Sequence, residues 1–157
     1  MGTEMKGLAV KGIIVLSLLA FFGGCTSFAV DQPADFSQYK VHSDWYRAIA
    51  ADGVRIRARL IKNESKGSAS MWRTAALRHL KKSGYQETAR KEFKTLSGAE
   101  ASHSEYAYHY FGREFVYTVT LLVKEKHIGV IETTGETKYY EAHRESLMKA
   151  IKSFTFK

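Results

Sequence analysis

The chain has one cysteine, Cys25, in 157 residues, so no disulfide can form within it and the fold must be held by apolar burial. Proline is equally scarce, with Pro33 alone, and no internal repeat or composition break marks a second domain. The longest apolar run, Ile13 to Phe22, is about half of the roughly 20 residues needed to cross a bilayer, which argues against a permanent transmembrane helix. Catalytic signatures are missing too: there is no glycine-rich phosphate loop, no nucleophile elbow, no HExxH and no pair of metal-binding cysteines. These absences leave no motif that would carry catalysis or hold a cofactor.

What is present begins with Lys6 and Lys11, continues through the apolar run, and ends in Gly23-Gly24-Cys25. That is the charged, apolar and small-residue order of a secretory signal. Phe22-Gly23-Gly24-Cys25 resembles the lipobox of bacterial lipoproteins, where a signal peptidase cuts before a diacylglyceryl-modified cysteine; Phe22 stands where that motif usually has leucine. The resemblance implies a lipoprotein signal peptide over residues 1–24, lipidation of Cys25 and anchoring in the cell envelope. Thr26 favours the outer membrane, facing the periplasm, if the source has two membranes. The alternative is an ordinary signal peptide with an unmodified cysteine, or cleavage after Ala29.

Without residues 1–24 the chain keeps 133 residues, enough for one domain with a real core and too few for two of ordinary size. Removing Lys6, Lys11 and Glu4 leaves 22 basic and 15 acidic residues, a net charge of +7 with histidines neutral. A basic surface beside a membrane favours anionic headgroups or acidic polymers over a neutral partner, although the same charge also serves plain solvation. Nucleic acid is a poor partner for an exported protein. Residues 25–41, polar and carrying the single proline, read as the lipidated N-terminus and a flexible tether, leaving 42–157 as one domain.

Alternation starts at Trp45. Trp45–Ala50 and Val54–Ile61 flank Asp52-Gly53, a turn pair, and predict a hairpin. Ser68 or Ser70 caps a helix carrying Trp72, Ala75, Ala76, His79 and Leu80, ended by Gly84. Tyr85–Thr95 is a further strand candidate. The strands around Tyr106–Tyr110, Phe115–Leu122 and His127–Thr133 are separated by only a few residues, which predicts an antiparallel meander. Thr137 opens a last helix with Tyr140, His143 or Arg144, Leu147, Ile151 and Phe154 along one stripe. The expected class is α+β: an antiparallel sheet made of an N-terminal hairpin and a C-terminal meander, with two main helices packed on it.

The tract from Leu96 to Phe156 resembles the C-terminal half of PsbP-like domains, a group that includes the extrinsic P subunit of photosystem II, a Ran-binding nuclear import factor and small bacterial envelope lipoproteins. The likeness lies in the glycine turn at Gly98 before an aromatic-rich strand, the apolar strand around Tyr117–Leu122 and the closing helix ending in Ser153-Phe154. It implies a binding or assembly module with an envelope protein partner, and it brings no catalytic residues. A carrier of a lipid or other amphiphile is the alternative, followed by an envelope hydrolase or metal enzyme.

Two rows of residues are candidates for binding. Arg55, Arg57 and Arg59 share one face of a strand, and Tyr106, Tyr108 and Tyr110 share one face of another. Arginine and tyrosine are enriched at binding hot spots, so the rows would form a contact platform if they lie on the same sheet face and remain accessible. The competing reading places the tyrosines in the core and the arginines in solvent. His103, Glu105 and His109 share strand parity, but a spacing of four residues along a strand, about 13 Å, is too long for Glu105 and His109 to hold one ion. No metal site is assigned.

Overall fold

The computed structural model describes residues 27–39 and 45–157. Cys25 and the segment read as a signal peptide lie outside the described residues. Among the described residues no helix is long and apolar enough to cross a membrane.

The domain is α+β. Strands β1 (Phe28–Ala29), β2 (Phe36–Gln38), β3 (Trp45–Ala50) and β4 (Arg55–Lys62) lead to helix α1 (Ala69–Lys82). Strands β5 (Gln86–Lys94), β6 (Glu100–Tyr110), β7 (Arg113–Lys124) and β8 (His127–Glu136) follow, then helix α2 (Thr137–Ser153) and strand β9 (Thr155–Phe156). Seven strands form one sheet in the order β2-β3-β4-β8-β7-β6-β5, with every neighbour antiparallel. The last strand of the meander closes against the first hairpin through β4 and β8, so the N-terminal hairpin and the C-terminal meander are a single sheet.

Local chemistry sets the breaks. Ser68 caps α1 by accepting a hydrogen bond from the Met71 N–H at 3.3 Å, and the chain leaves the helix at Gly84 with φ +85°. Phe111-Gly112 turns β6 into β7 with positive φ at both residues, the backbone that a tight hairpin requires.

The two helices cover opposite faces. Val116, Leu122, Ile131 and Ile56 pack with Tyr140, Leu147, Ala150, Ile151 and Phe154 beneath α2. The alternate residues Val119, Leu121, Ile128 and Val130 pack with Trp72, Leu77 and Leu80 beneath α1. This double coverage explains why β7 is apolar on both faces. A polar seam crosses the α2 side: Thr118 and Thr133 share a hydrogen bond of 2.6 Å, Thr133 meets the Tyr140 hydroxyl at 2.6 Å, and the His103 ring contacts Thr120 at 2.8 Å. Each of these buried polar groups is thereby satisfied.

The expected flexible tether is corrected. β1 pairs with β9 through Phe28 opposite Phe156, β2 pairs with β3, and the Ser27 carbonyl accepts from the Lys157 N–H at 2.8 Å. Phe28 stacks on Phe154 and Phe36 is buried, so two aromatics stitch this arm to the domain where composition suggested a linker.

Candidate binding site

The site grows from the first hairpin. Ala50 and Val54 close a three-residue turn, Ala51-Asp52-Gly53, with Gly53 at φ +89°. The resulting register places Arg47 opposite Arg57 and Trp45 opposite Arg59. Residues directly opposite share a face, so Trp45 and Arg47 join Arg55, Arg57 and Arg59 on the α1 side of the sheet. The guanidinium carbons of Arg47, Arg57 and Arg59 lie 4.7, 5.7 and 5.4 Å from the centre of the Trp45 ring. A π-face between several cations lowers their mutual repulsion and holds the long side chains in place.

One carboxylate enters this group. Glu132 of β8 accepts from Arg57 Nε at 2.8 Å and lies 2.6 Å from the Arg57 terminal nitrogen, while the Tyr117 hydroxyl donates to its other oxygen at 2.6 Å. Burial and the adjacent Glu132 carboxylate push the Tyr117 phenol well above the ordinary tyrosine range, so it stays a neutral donor. Arg59 Nε stands 3.9 Å from Glu132, outside hydrogen-bond reach. Arg47 Nε and Arg59 Nε are buried without a hydrogen-bond partner among the described residues. Four guanidinium groups against one carboxylate leave an excess of positive charge on this part of the sheet.

Two hollows meet there. One of about 350 Å³ is bounded by Tyr39, Arg47, Arg55 and Arg57, with Tyr117 and Glu132 on its wall. The second, about 310 Å³, runs between α1 and the sheet and is lined by Trp72, Ala76, Leu80, Leu121 and Val130, with Arg59, Tyr117 and Glu132 at its edge. A larger hollow of about 620 Å³ between the N-terminal arm and α2 combines Asp31, Asp35 and Glu145 with Lys149 and Lys152. Its charges oppose one another, so it lacks the one-signed field of the arginine face.

The tyrosine row is on the same face as the arginines, but the two rows do not combine. Between β4 and β6 lie β8 and β7, a separation of about 14 Å across the sheet. Tyr106 is only 1% exposed and belongs to the core beneath α1, which removes it from any platform. Tyr108 is half-buried and stacked on Phe115, and Tyr110 is 60% exposed at the hairpin tip beside Phe111. Glu105 pairs with Arg144, His103 is buried and His109 is exposed. No group of three potential metal ligands occurs among the described residues. Trp45 and Arg47 are the site residues that sequence reasoning missed; the signal was the length of the turn that sets their register.

No family model and no curated protein matches the chain. Its fold does match solved structures. The crystal structure of LpqN, involved in cell envelope biogenesis of Mycobacterium tuberculosis, superposes with a TM-score of 0.69 at 15% identity over 85% of each chain. A Pseudomonas aeruginosa protein of unknown function gives 0.52 at 13% identity over 76% of this chain and 96% of its own. The cyanobacterial PsbP of Synechocystis sp. PCC 6803 gives 0.55 at 8% identity over 84% of this chain and 92% of its own. With a doubly covered antiparallel sheet in hand and these neighbours, the chain has a PsbP-like fold.

Proposed function

We propose that the protein is a lipid-anchored cell-envelope module that binds a partner non-catalytically through the arginine face of its sheet. The observation that carries the reading is the concentration of four arginines on one accessible face, three of them around Trp45, with a single carboxylate to balance them. Arginine of this kind gives strong, geometrically fixed contacts to acidic groups and takes no part in acid–base chemistry. The envelope role ascribed to LpqN, a neighbour in fold, supports the same setting.

Anchoring through Cys25 also fits the geometry of the arm. Thr26 alone separates Cys25 from Ser27, whose carbonyl is bonded to Lys157. An acyl anchor would therefore hold the β1–β9 end, where Lys124 lies over the Phe156 ring at 5.7 Å, against the headgroups. The Tyr110-Phe111 tip stands at the other end of β7, about 40 Å away for a strand of 12 residues. A partner reaching the arginine face would approach along the side of the domain.

Fractionation of cells expressing Cys25→Ser tests the anchor. The variant is expected to leave the membrane fraction or to accumulate as an uncleaved precursor. A variant that fractionates and migrates like the parent, with no acyl chain on the parent, would end the lipoprotein reading.

A further inference from the structure

We infer that the two adjoining hollows on the α1 side form one site for a single-chain amphiphile with an acidic headgroup. The chain would lie between α1 and the sheet, and the head among Arg47, Arg55 and Arg59. This deepens the binding-module reading and rests on the arginine face being its binding face.

Three observations carry it. The hollow under α1 is walled by Trp72, Ala76, Leu80, Leu121 and Val130, and at about 310 Å³ it is at the lower end of the range of ligand pockets. A methylene is about the size of a water molecule, which takes roughly 30 Å³ of liquid volume, so this space holds on the order of ten carbons. The second observation is adjacency, because Tyr117 and Glu132 line both hollows, so a head in one and a chain in the other would sit side by side.

The third is charge. Glu132 is engaged by Arg57 at 2.6 Å and by the Tyr117 hydroxyl at 2.6 Å, which fixes one positive charge and leaves Arg47, Arg55 and Arg59 in excess. Arg47 Nε and Arg59 Nε are buried and have no hydrogen-bond partner among the described residues. A buried donor without a partner costs free energy, and a carboxylate or phosphate head that draws these guanidinium groups toward the hollows would offset that cost with charge-assisted hydrogen bonds. An uncharged amphiphile would fill the apolar hollow equally well but leave those donors unsatisfied, so the site should discriminate by headgroup charge.

Photolabelling of the full chain in its own membranes tests this. The probes are a dodecanoic acid with a diazirine in its chain and the dodecanol bearing the same diazirine. The acid is expected to label Trp72, Leu80 and Val130, to be displaced by excess dodecanoate, and to label at least tenfold more than the alcohol. Arg47→Gln with Arg55→Gln should bring labelling by the acid down to the level of the alcohol and leave labelling by the alcohol unchanged. Ala76→Phe, which fills the hollow, should remove both; limited proteolysis reports whether each variant remains folded. Equal labelling by acid and alcohol, or labelling confined to exposed positions such as Leu96 and Phe111, would overturn the inference. The same labelling on the Cys25→Ser chain separates a failure of the site from a failure of the anchor.

Discussion

Replacing Phe154 by alanine is expected to destabilise the domain by about 3–5 kcal/mol, the range for truncating a fully buried aromatic. Phe154 has no exposed surface, stacks on Phe28 at 5.4 Å and meets Phe156 edge-on at 5.1 Å. Its ring also lies over Gly129, where an added Cβ would come within 2.6 Å of Cζ, so β8 approaches the ring too closely for any side chain. Truncation therefore opens a cavity at the junction of α2, β8 and β1 and frees the arm as well as the core. In a domain of this size the thermal midpoint should fall by roughly 10–20 °C. Phe111→Ala is the control, since Phe111 is 86% exposed at the β6–β7 turn and its loss should stay within about 0.5 kcal/mol. Equal effects at the two positions, read by thermal or urea unfolding, would contradict the packing described for the C-terminus.

The second large effect is a loss of stability in acid that is traceable to His103. The ring is 3% exposed between β5 and β7, and its pKa is lowered to about 4 by burial first and then by the Lys91 charge, with Arg144 acting in the same direction and Glu105 opposing. An unfolded histidine titrates near about 6.5. Between those values the unfolded chain binds a proton that the folded chain does not, so stability rises with pH across the window. The contribution is fully present above about pH 6.5 and is lost as pH falls toward 4, up to about 3 kcal/mol. His103→Asn keeps a hydrogen-bonding group near Thr120 but cannot titrate. Urea midpoints measured at pH 7 and pH 4.5 should therefore converge in the variant relative to the parent. An unchanged pH dependence would mean that the fold does not lower the His103 pKa below its unfolded value.

Much of the architecture was legible because it rests on local rules. Asp52-Gly53, Ser68, Gly84, Gly112 and Thr137 mark the boundaries of their elements, and the uninterrupted apolar character of Phe115–Leu122 requires cover on both faces. The arm was not legible. Phe28 and Phe36 are isolated aromatics in a polar stretch, and nothing in their spacing reveals that one stacks on Phe154 while the other packs edge-on against His143 at 5.1 Å. Those partners are more than 100 residues away along the chain, and only the closed fold brings them near.

The site shows the same division. Strand parity put Arg55, Arg57 and Arg59 on one face, but which residues join them depends on one residue of turn. A two-residue turn at Asp52-Gly53 would set Arg57 opposite Ala48, and Trp45 and Arg47 would point to the α2 side. The three-residue turn shifts the register by one and brings both to the arginines. Tyr106 fails for a tertiary reason, because α1 crosses the sheet over its strand and absorbs it into the core. Tyr110, four residues along the same strand face, escapes because the helix does not reach the hairpin tip.

Native mass spectrometry of the intact protein, extracted gently from its own membranes, addresses the central claim most directly. An acylated Cys25 at the mature N-terminus is expected, together with a non-covalently bound species present in near-stoichiometric amount. In the Arg47→Gln and Arg55→Gln double variant that species should be lost while the acyl mass stays. A mature chain without acyl mass, or a bound species equally retained by the double variant, would contradict the account of a lipid-anchored module that binds through its arginine face.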